Sequence, residues 1–419
     1  MAEKQTIIYV TREIERALGA TPNEHYHIVS NRTAYGETIK AQYPDHVTLI
    51  EPRPDGTTLG SGDLLAHPET AKLYTALMEK AGAARENIYF LLFKNTARIE
   101  PLARERGWRL LNPAAAVAEH IENKISQLSW LGDLEGYLPP HRLLFMKNIT
   151  WAGEPFIVQW AHGHTGGGTI LIDNAETLAA LKAKFPERRA RLTRFVVGPS
   201  FTVNVVVTPE VVAMSSVSYQ ITGLPPFTDS RFTTIGNDWG VVSSLLTPAE
   251  LDNVRGLVRE LGARMQKDCW RGLFGVDFIK DAASNRLYLI EINARQPAST
   301  TFESKLQLEQ RAAGVPGMTT FEAHLAALLG ENLSGPIIPI LQGAQVIMRV
   351  PANNQIKLDV TRVNKLLREA GLETVNYDNH KPHEDLLRVQ SRRSLMRGHE
   401  AWNEIGETII NACREPLDK

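Results

Sequence analysis

The stretch LYLIEINAR, Leu287–Arg295, decides how this chain of 419 residues is read. It starts as a core strand and then sets Glu291, Asn293 and Arg295 at every second position. Side chains alternate between the two faces of a strand. Leu289, Glu291, Asn293 and Arg295 are therefore expected on one face, and Tyr288, Ile290, Ile292 and Ala294 on the other, against the core. The preceding run LFGVDFIK is a second strand, and DAASN between the two reads as a hairpin turn. A turn near residue 284 sets Asp277 opposite Glu291, with side chains about 5 Å apart. Two carboxylates at that distance repel unless a cation lies between them. Mg²⁺ suits the place, since it takes oxygen ligands from one or two carboxylates together with phosphate and water. Asn293 adds a neutral oxygen, and the planar fork of Arg295 suits phosphate. On these residues alone, a solvated polar strand face remains the alternative.

Upstream, AHGHTGGGTILI places Gly163, Gly166, Gly167 and Gly168 between two strands. Glycine lets consecutive N–H groups approach and cradle phosphate oxygens, although a flexible hairpin connection would use the same residues. His162 and His164 lack a nearby acid and read as loop residues, not metal ligands. Further toward the N-terminus, short apolar runs (Thr6–Val10, His27–Ser30, His46–Glu51, Asn87–Phe93, Trp108–Leu111) alternate with helical spacing. That pattern predicts a parallel sheet covered by helices. From Arg142 onward the texture becomes α+β, with helices expected over Ala175–Phe185 and Pro248–Asp268. Two strand pieces meet at Gly198-Pro199. The segment beyond Gln342 reads as a cap: one strand, a helix at Thr361–Ala370 and another at Ala401–Arg414.

Composition narrows the function. With 43% hydrophobic and 22% charged residues, the chain is an ordinary globular one, and its net charge of −1 offers no nucleic-acid footprint. No apolar run reaches membrane-spanning length. The first residues lack a signal-peptide pattern, so a cytoplasmic location is expected. Cys269 and Cys413 form neither a metal spacing nor a disulfide framework.

Taken in order, Lys124 before a helix, the strand–glycine loop–strand unit, the RFVVGPSFTV hinge and the GVDFI…LIEINAR hairpin resemble the ATP-grasp superfamily, in its biotin carboxylase and carbamoyl-phosphate synthetase branch. The resemblance spans about residues 5 to 350. It implies an ATP-grasp fold of mixed α/β and α+β class, with an open parallel pre-ATP-grasp domain at residues 1–122. A lid subdomain at 123–220, a large subdomain at 221–335 and a C-terminal α/β subdomain at 336–419 that completes the large one make up the expected division. The implied cofactors are ATP and Mg²⁺ (or Mn²⁺), with Asp277, Glu291 and Asn293 as metal ligands. Arg295 would hold the transferred phosphoryl group, and Lys124 would contact the nucleotide phosphates. Gly166, Gly167, Gly168 and Thr169 would close over the triphosphate, while Phe195, Val196 and Val197 would meet the adenine.

Two departures stand out. Gln159 occupies the place of a usual lysine that reaches the α- and β-phosphates, and Ser200 the place of a glutamate that bonds the ribose. Substrate contacts are expected from Ser218, Gln220, Arg231, Asn237, Asp238, Gln296 and Ser299. The activity expected is ligation of a small-molecule carboxylate to an amine through an acyl phosphate. Carboxylation through activated bicarbonate, and an inactive ATP-binding protein, are the alternatives. A homodimer is left open, and there is no biotin-attachment segment.

Overall fold

The computed structural model describes residues 5–81, 87–161, 168–353, 358–379 and 381–414. Its N-terminal part is the expected open sheet. Strands β1 (Thr6–Val10), β2 (Tyr26–Asn31), β3 (Val47–Ile50), β4 (Ile88–Leu92) and β5 (Arg109–Leu110) run parallel in the order β3-β2-β1-β4-β5. Nearly continuous apolar sequence in β1 and β4 matches strands buried on both faces. One face packs on Phe90 and Trp108, the other on Tyr9, Tyr26 and, from far along the chain, Phe321.

A small antiparallel sheet follows, in the order β6-β9-β7-β8: β6 (His141–Phe145), β7 (Phe156–Gln159), β8 (Thr169–Ile172) and β9 (Arg189–Arg194). The helix Ala175–Lys184, N-capped by Asn174, covers a core of Met146, Val158, Trp160 and Leu178.

The large sheet comprises β10 (Ser200–Val207), β11 (Val212–Met214), β12 (Ser218–Thr222), β13 (Thr234–Asp238), β14 (Gly272–Lys280), β15 (Leu287–Asn293), β16 (Ala344–Arg349), β17 (Glu373–Asn376) and β18 (Asp385–Ser391). Its order is β15-β14-β10-β12-β13-β16-β18-β17, with β11 beside β10. Sheet membership thus changes between Arg194 and Ser200, not at residue 220, because β10 pairs along its whole length with β14. Likewise β16 and β18 belong to the same sheet as the acid hairpin, so the residues beyond Gln342 build the sheet as well as capping it. Gly198 makes the passage from small to large sheet. Its φ of +151° and a Cβ that would overlap the Lys280 carbonyl oxygen leave room for glycine alone. The helix Pro248–Lys267 starts from a Thr247–Glu250 capping box and buries Val254, Leu257, Val258 and Leu261 against this sheet.

The acid hairpin has the expected register at its key pair, Asp277 opposite Glu291. Its alternation, however, breaks one residue earlier. Phe278 pairs with Leu289, which leaves Ile290 unpaired as a β-bulge. As a result Leu289 turns into the core with Phe278 and Ile292, while Ile290 looks into the cavity with Glu291. The expectation that Leu289 shares a face with Glu291, and that Ile290 anchors the core, is corrected by that single extra residue.

Candidate functional site

Between the small and large sheets lies a cavity of about 530 Å³. Its acidic end is the hairpin. Asp277 accepts hydrogen bonds from Thr202, Asn293 and Gln220, with Asn293 Nδ2 at 3.0 Å. Burial first, and Glu291 second, push its carboxyl up to about 6. Burial also opposes ionisation of Glu291, but Lys124, Arg295 and Arg191 together outweigh it and hold this carboxyl below its usual range. Lys124 Nζ stands 2.7 Å from Glu291 Oε1. That lysine follows the helix Ala115–Glu122, and its backbone N–H donates to Ala161 just past β7, which fixes it between the sheets. Arg295 pairs with Glu122 and donates to Asn293 Oδ1 at 2.7 Å.

The donor set fits a hard divalent cation. Two carboxylates in register, one with its ionisation suppressed by the other, present oxygen atoms to a shared space, with the Asn293 amide beside them. Among the described residues no three His, Cys, Asp or Glu side chains cluster. Any such ion would complete its shell with oxygens from water or the substrate.

The same cavity has an apolar lining of Ile157, Phe195, Val196, Phe232 and Ile279. Phe195 and Phe232 meet edge to face at 6.4 Å. Another end is rich in arginine: Arg16 from the N-terminal domain, and Arg349 and Arg388 from β16 and β18, with Asp385 between the latter two. A row of hydrogen bonds crosses the floor toward it. Arg388 Nη1 donates to Gln345 (3.0 Å), Gln345 to Asn237 (3.2 Å) and Asn237 to Ser218 (3.1 Å).

Of the residues singled out in the sequence, Lys124, Gln159, Gly168, Thr169, Phe195, Val196, Ser200, Gln220, Asn237, Asp277, Glu291, Asn293, Arg295 and Ser299 line this one cavity. Gly166 and Gly167 lie outside the described residues, as do His162 and His164. Five others do not line it. Val197 is 57% exposed. Arg231 sits outside, stacked over Phe195 at 5.2 Å. Ser218 lies beneath Asn237. Asp238 is corrected to a structural residue: fully buried, it accepts from the backbone N–H groups of Val241, Leu395 and Met396 and from the Ser394 hydroxyl. Gln296 is likewise a strut, accepting from the Tyr9 hydroxyl at 2.6 Å and donating to the Arg16 carbonyl.

Sequence reasoning missed Arg16, Thr202, Arg191, Gln345, Arg349 and Arg388. Gln345 and Arg349 carried a usable signal, because in the strand AQVIMRV they stand four residues apart and so share one face. Arg16 and Arg191 carried none, since only tertiary folding brings them to the cavity.

A sequence model of the ATP-grasp domain matches residues 121–299. The chain therefore carries an ATP-grasp domain preceded by an open parallel sheet, in the mixed α/β and α+β architecture expected. No sequence relative was found among curated proteins. Several solved structures share the fold over nearly the whole length. One is carboxyaminoimidazole ribonucleotide synthase from Aspergillus clavatus complexed with ATP (13% identity, 98% of each chain, TM-score 0.66). Another is N5-carboxyaminoimidazole synthetase from Staphylococcus aureus complexed with ADP (15%, 96% of this chain and 95% of that one, 0.60). A third is the biotin carboxylase domain dimer of Hydrogenobacter thermophilus 2-oxoglutarate carboxylase, in complex with MgADP, ADP and bicarbonate (13%, 93% and 86%, 0.58). At these identities the likeness is one of fold. Among the described residues no helix is long and apolar enough to cross a membrane.

Proposed function

We propose that this chain is an ATP- and Mg²⁺-dependent enzyme that activates bicarbonate as an acyl phosphate and passes the carboxyl group to an amine. The observation that carries the reading is Asp277 in register with Glu291 on the wall of a cavity that also holds Lys124, Arg191 and Arg295. Phosphoryl transfer asks a protein mainly for positioning and for neutralisation of charge, and this wall offers both. Asp277, Glu291 and Asn293 would hold Mg²⁺, which when bound neutralises phosphate charge and polarises the transferred group. Arg295, steadied by Glu122 and Asn293, would face the acyl phosphate. The apolar end around Phe195, Val196 and Phe232 suits adenine, and Ser200 and Thr169 lie along the route from there to the acids. Bicarbonate is favoured over a larger carboxylate because the fold neighbours are carboxylating enzymes, one of them bound to bicarbonate.

The ligation of an organic carboxylate to an amine is the second reading. The cluster of Arg16, Arg349 and Arg388 favours it, since three guanidiniums at one end of the cavity suit an organic anion. ADP release in bicarbonate-depleted buffer, with bicarbonate and a panel of carboxylates and amines added in turn, separates the two. A strict bicarbonate requirement supports the first. Turnover that ignores bicarbonate and follows an organic carboxylate establishes the second. If ATP fails to bind at all, both fall.

A further inference from the structure

We infer that Arg191 is a phosphate-gripping cation of the nucleotide site, and that the uncharged Gln159 serves to position it. The inference rests on the nucleotide-binding reading above and adds a residue to it.

Arg191 lies on β9 directly opposite Gln159 on β7. It is among the largest fully buried side chains of the molecule, 1% exposed, yet it lines the cavity. Its Nε donates to Gln159 Oε1 at 2.9 Å, its Nη1 to Gln127 Oε1 at 3.0 Å, and its Nη2 reaches the Ile290 carbonyl at 3.4 Å. Every one of these acceptors is neutral. Among the described residues no carboxylate stands at ion-pair distance from this guanidinium. The two other cations at this end differ, for Lys124 is matched by Glu291 and Arg295 by Glu122. Burial lowers the Arg191 guanidinium to about 10, while Glu291 pulls the other way. The side chain therefore stays charged at neutral pH.

A buried charge is costly unless an opposite charge compensates it, and here the hydrogen-bonding partners are neutral dipoles, with Glu291 acting only at longer range. Those dipoles fix the plane of the fork. Gln127 is itself fully buried and donates to the Ile121 carbonyl, so its acceptor oxygen cannot turn away. A rigid guanidinium, charged and lacking an anion, on the wall of a cavity has the properties of a preorganised receptor for phosphate. The uncharged residue at the end of β7 then costs the site no cation, because the charge enters from the neighbouring strand.

Binding of ATP, ADP and adenosine to the full chain with Mg²⁺, followed by calorimetry, tests this. Arg191→Gln is expected to weaken ATP and ADP binding by about ten- to a hundredfold, as for loss of a charge-assisted hydrogen bond, and to leave adenosine within about twofold. Arg191→Lys should recover part of the loss. The exchange Gln159→Lys with Arg191→Gln, which returns a cation from the facing strand, should recover more than Arg191→Gln alone. If a folded Arg191→Gln binds ATP like the wild type, or loses ATP and adenosine equally, the inference is overturned and Arg191 is a strut between sheets. Should that variant not fold, Gln159→Leu decides: a selective loss of ATP over adenosine supports the inference, and unchanged ATP binding overturns it. A wild-type chain that binds no ATP overturns instead the functional reading beneath it.

Discussion

Two strand pairs on the wall of one cavity present opposite electrostatic problems. In β14–β15 two acids, Asp277 and Glu291, stand directly across from each other. In β7–β9 the facing residues are an amide and a cation, Gln159 and Arg191. The acids are balanced from within the protein, by Lys124 at 2.7 Å from Glu291 and by three hydrogen bonds to Asp277. The cation is hydrogen-bonded to neutral oxygens alone. Without ligand, the first pair is strained by repulsion between like charges and the second by a charge with no partner. Mg²⁺ with a polyphosphate would relieve both together, since it brings positive charge to one wall and negative charge to the other.

Glu291→Gln tests the first pair most severely. Its kcat/KM is expected to fall by at least about a hundredfold, the scale of losing electrostatic stabilisation in a transition state. On sequence grounds the fold would be indifferent, because removing one acid ends its repulsion with the other. The structure changes that expectation, since Lys124 is 9% exposed and Glu291 is its partner. A stability loss of about 1–2 kcal/mol should accompany the loss of turnover, at the low end for a broken buried pair because Glu291 opens onto the cavity. Steady-state kinetics and urea denaturation of the one variant check both. Near-normal turnover would reduce the acid pair to a structural feature.

The two pairs also differ in how far they could be read from sequence. The hairpin is local, so a short turn and period-two alternation were enough to set Asp277 against Glu291. Gln159 and Arg191 are separated by β8 and a helix, and no local pattern gives the register of strands joined by such an excursion. The N-terminal parallel sheet was legible because its strands are continuous apolar runs. The segment beyond Gln342 was read as a cap or subdomain completing the large one, with a single strand. The joining of both β16 and β18 to the hairpin's sheet was not legible, because sheet membership is a tertiary property. Asp238 and Gln296 were misassigned for a related reason: a polar residue near a site looks the same in sequence whether its partners are substrate atoms or backbone groups elsewhere in the fold.

The bulge at Ile290 is the one point where local reading of the hairpin itself failed, and deleting that residue sharpens the comparison. Shifting a strand by one residue exchanges its faces. Deleting the extra residue of the bulge makes no such shift, since Asp277–Glu291 and Phe278–Leu289 keep their pairing, and Leu289 stays in the core while the cavity loses the Ile290 side chain. The expected loss is no more than about 2 kcal/mol, the scale of removing the packing of one isoleucine side chain, read from the urea midpoint at unchanged slope. A far larger loss would mean that the bulge is needed to hold the two faces of the hairpin, and Glu291 with them, in place.

The smallest effect is the most specific to the acid pair. In the folded protein the Asp277 carboxyl is raised to about 6 from its ordinary value of 3.8, by burial first and Glu291 second. Between those values the folded state binds more protons than the unfolded one. The stability contributed by the protonated acid is therefore fully present below about pH 4 and is lost as pH rises through about 6. Asparagine resembles the protonated acid in shape and cannot ionise. Asp277→Asn in Mg²⁺-free buffer should therefore be more stable than the wild type by about 1–2 kcal/mol at pH 8, a figure reduced because the group opens onto the cavity, and should show no advantage at pH 4. Saturating Mg²⁺ should shrink the difference at pH 8, because the ion relieves in the wild type a repulsion that the variant lacks. Thermal melts at the two pH values, with and without Mg²⁺, read all four states. Arg191→Gln should show no comparable step between pH 4 and 8, since the guanidinium stays charged throughout that range. No gain at pH 8 would mean that Lys124 already cancels the repulsion, and a gain independent of pH would mean that it does not come from ionisation of Asp277.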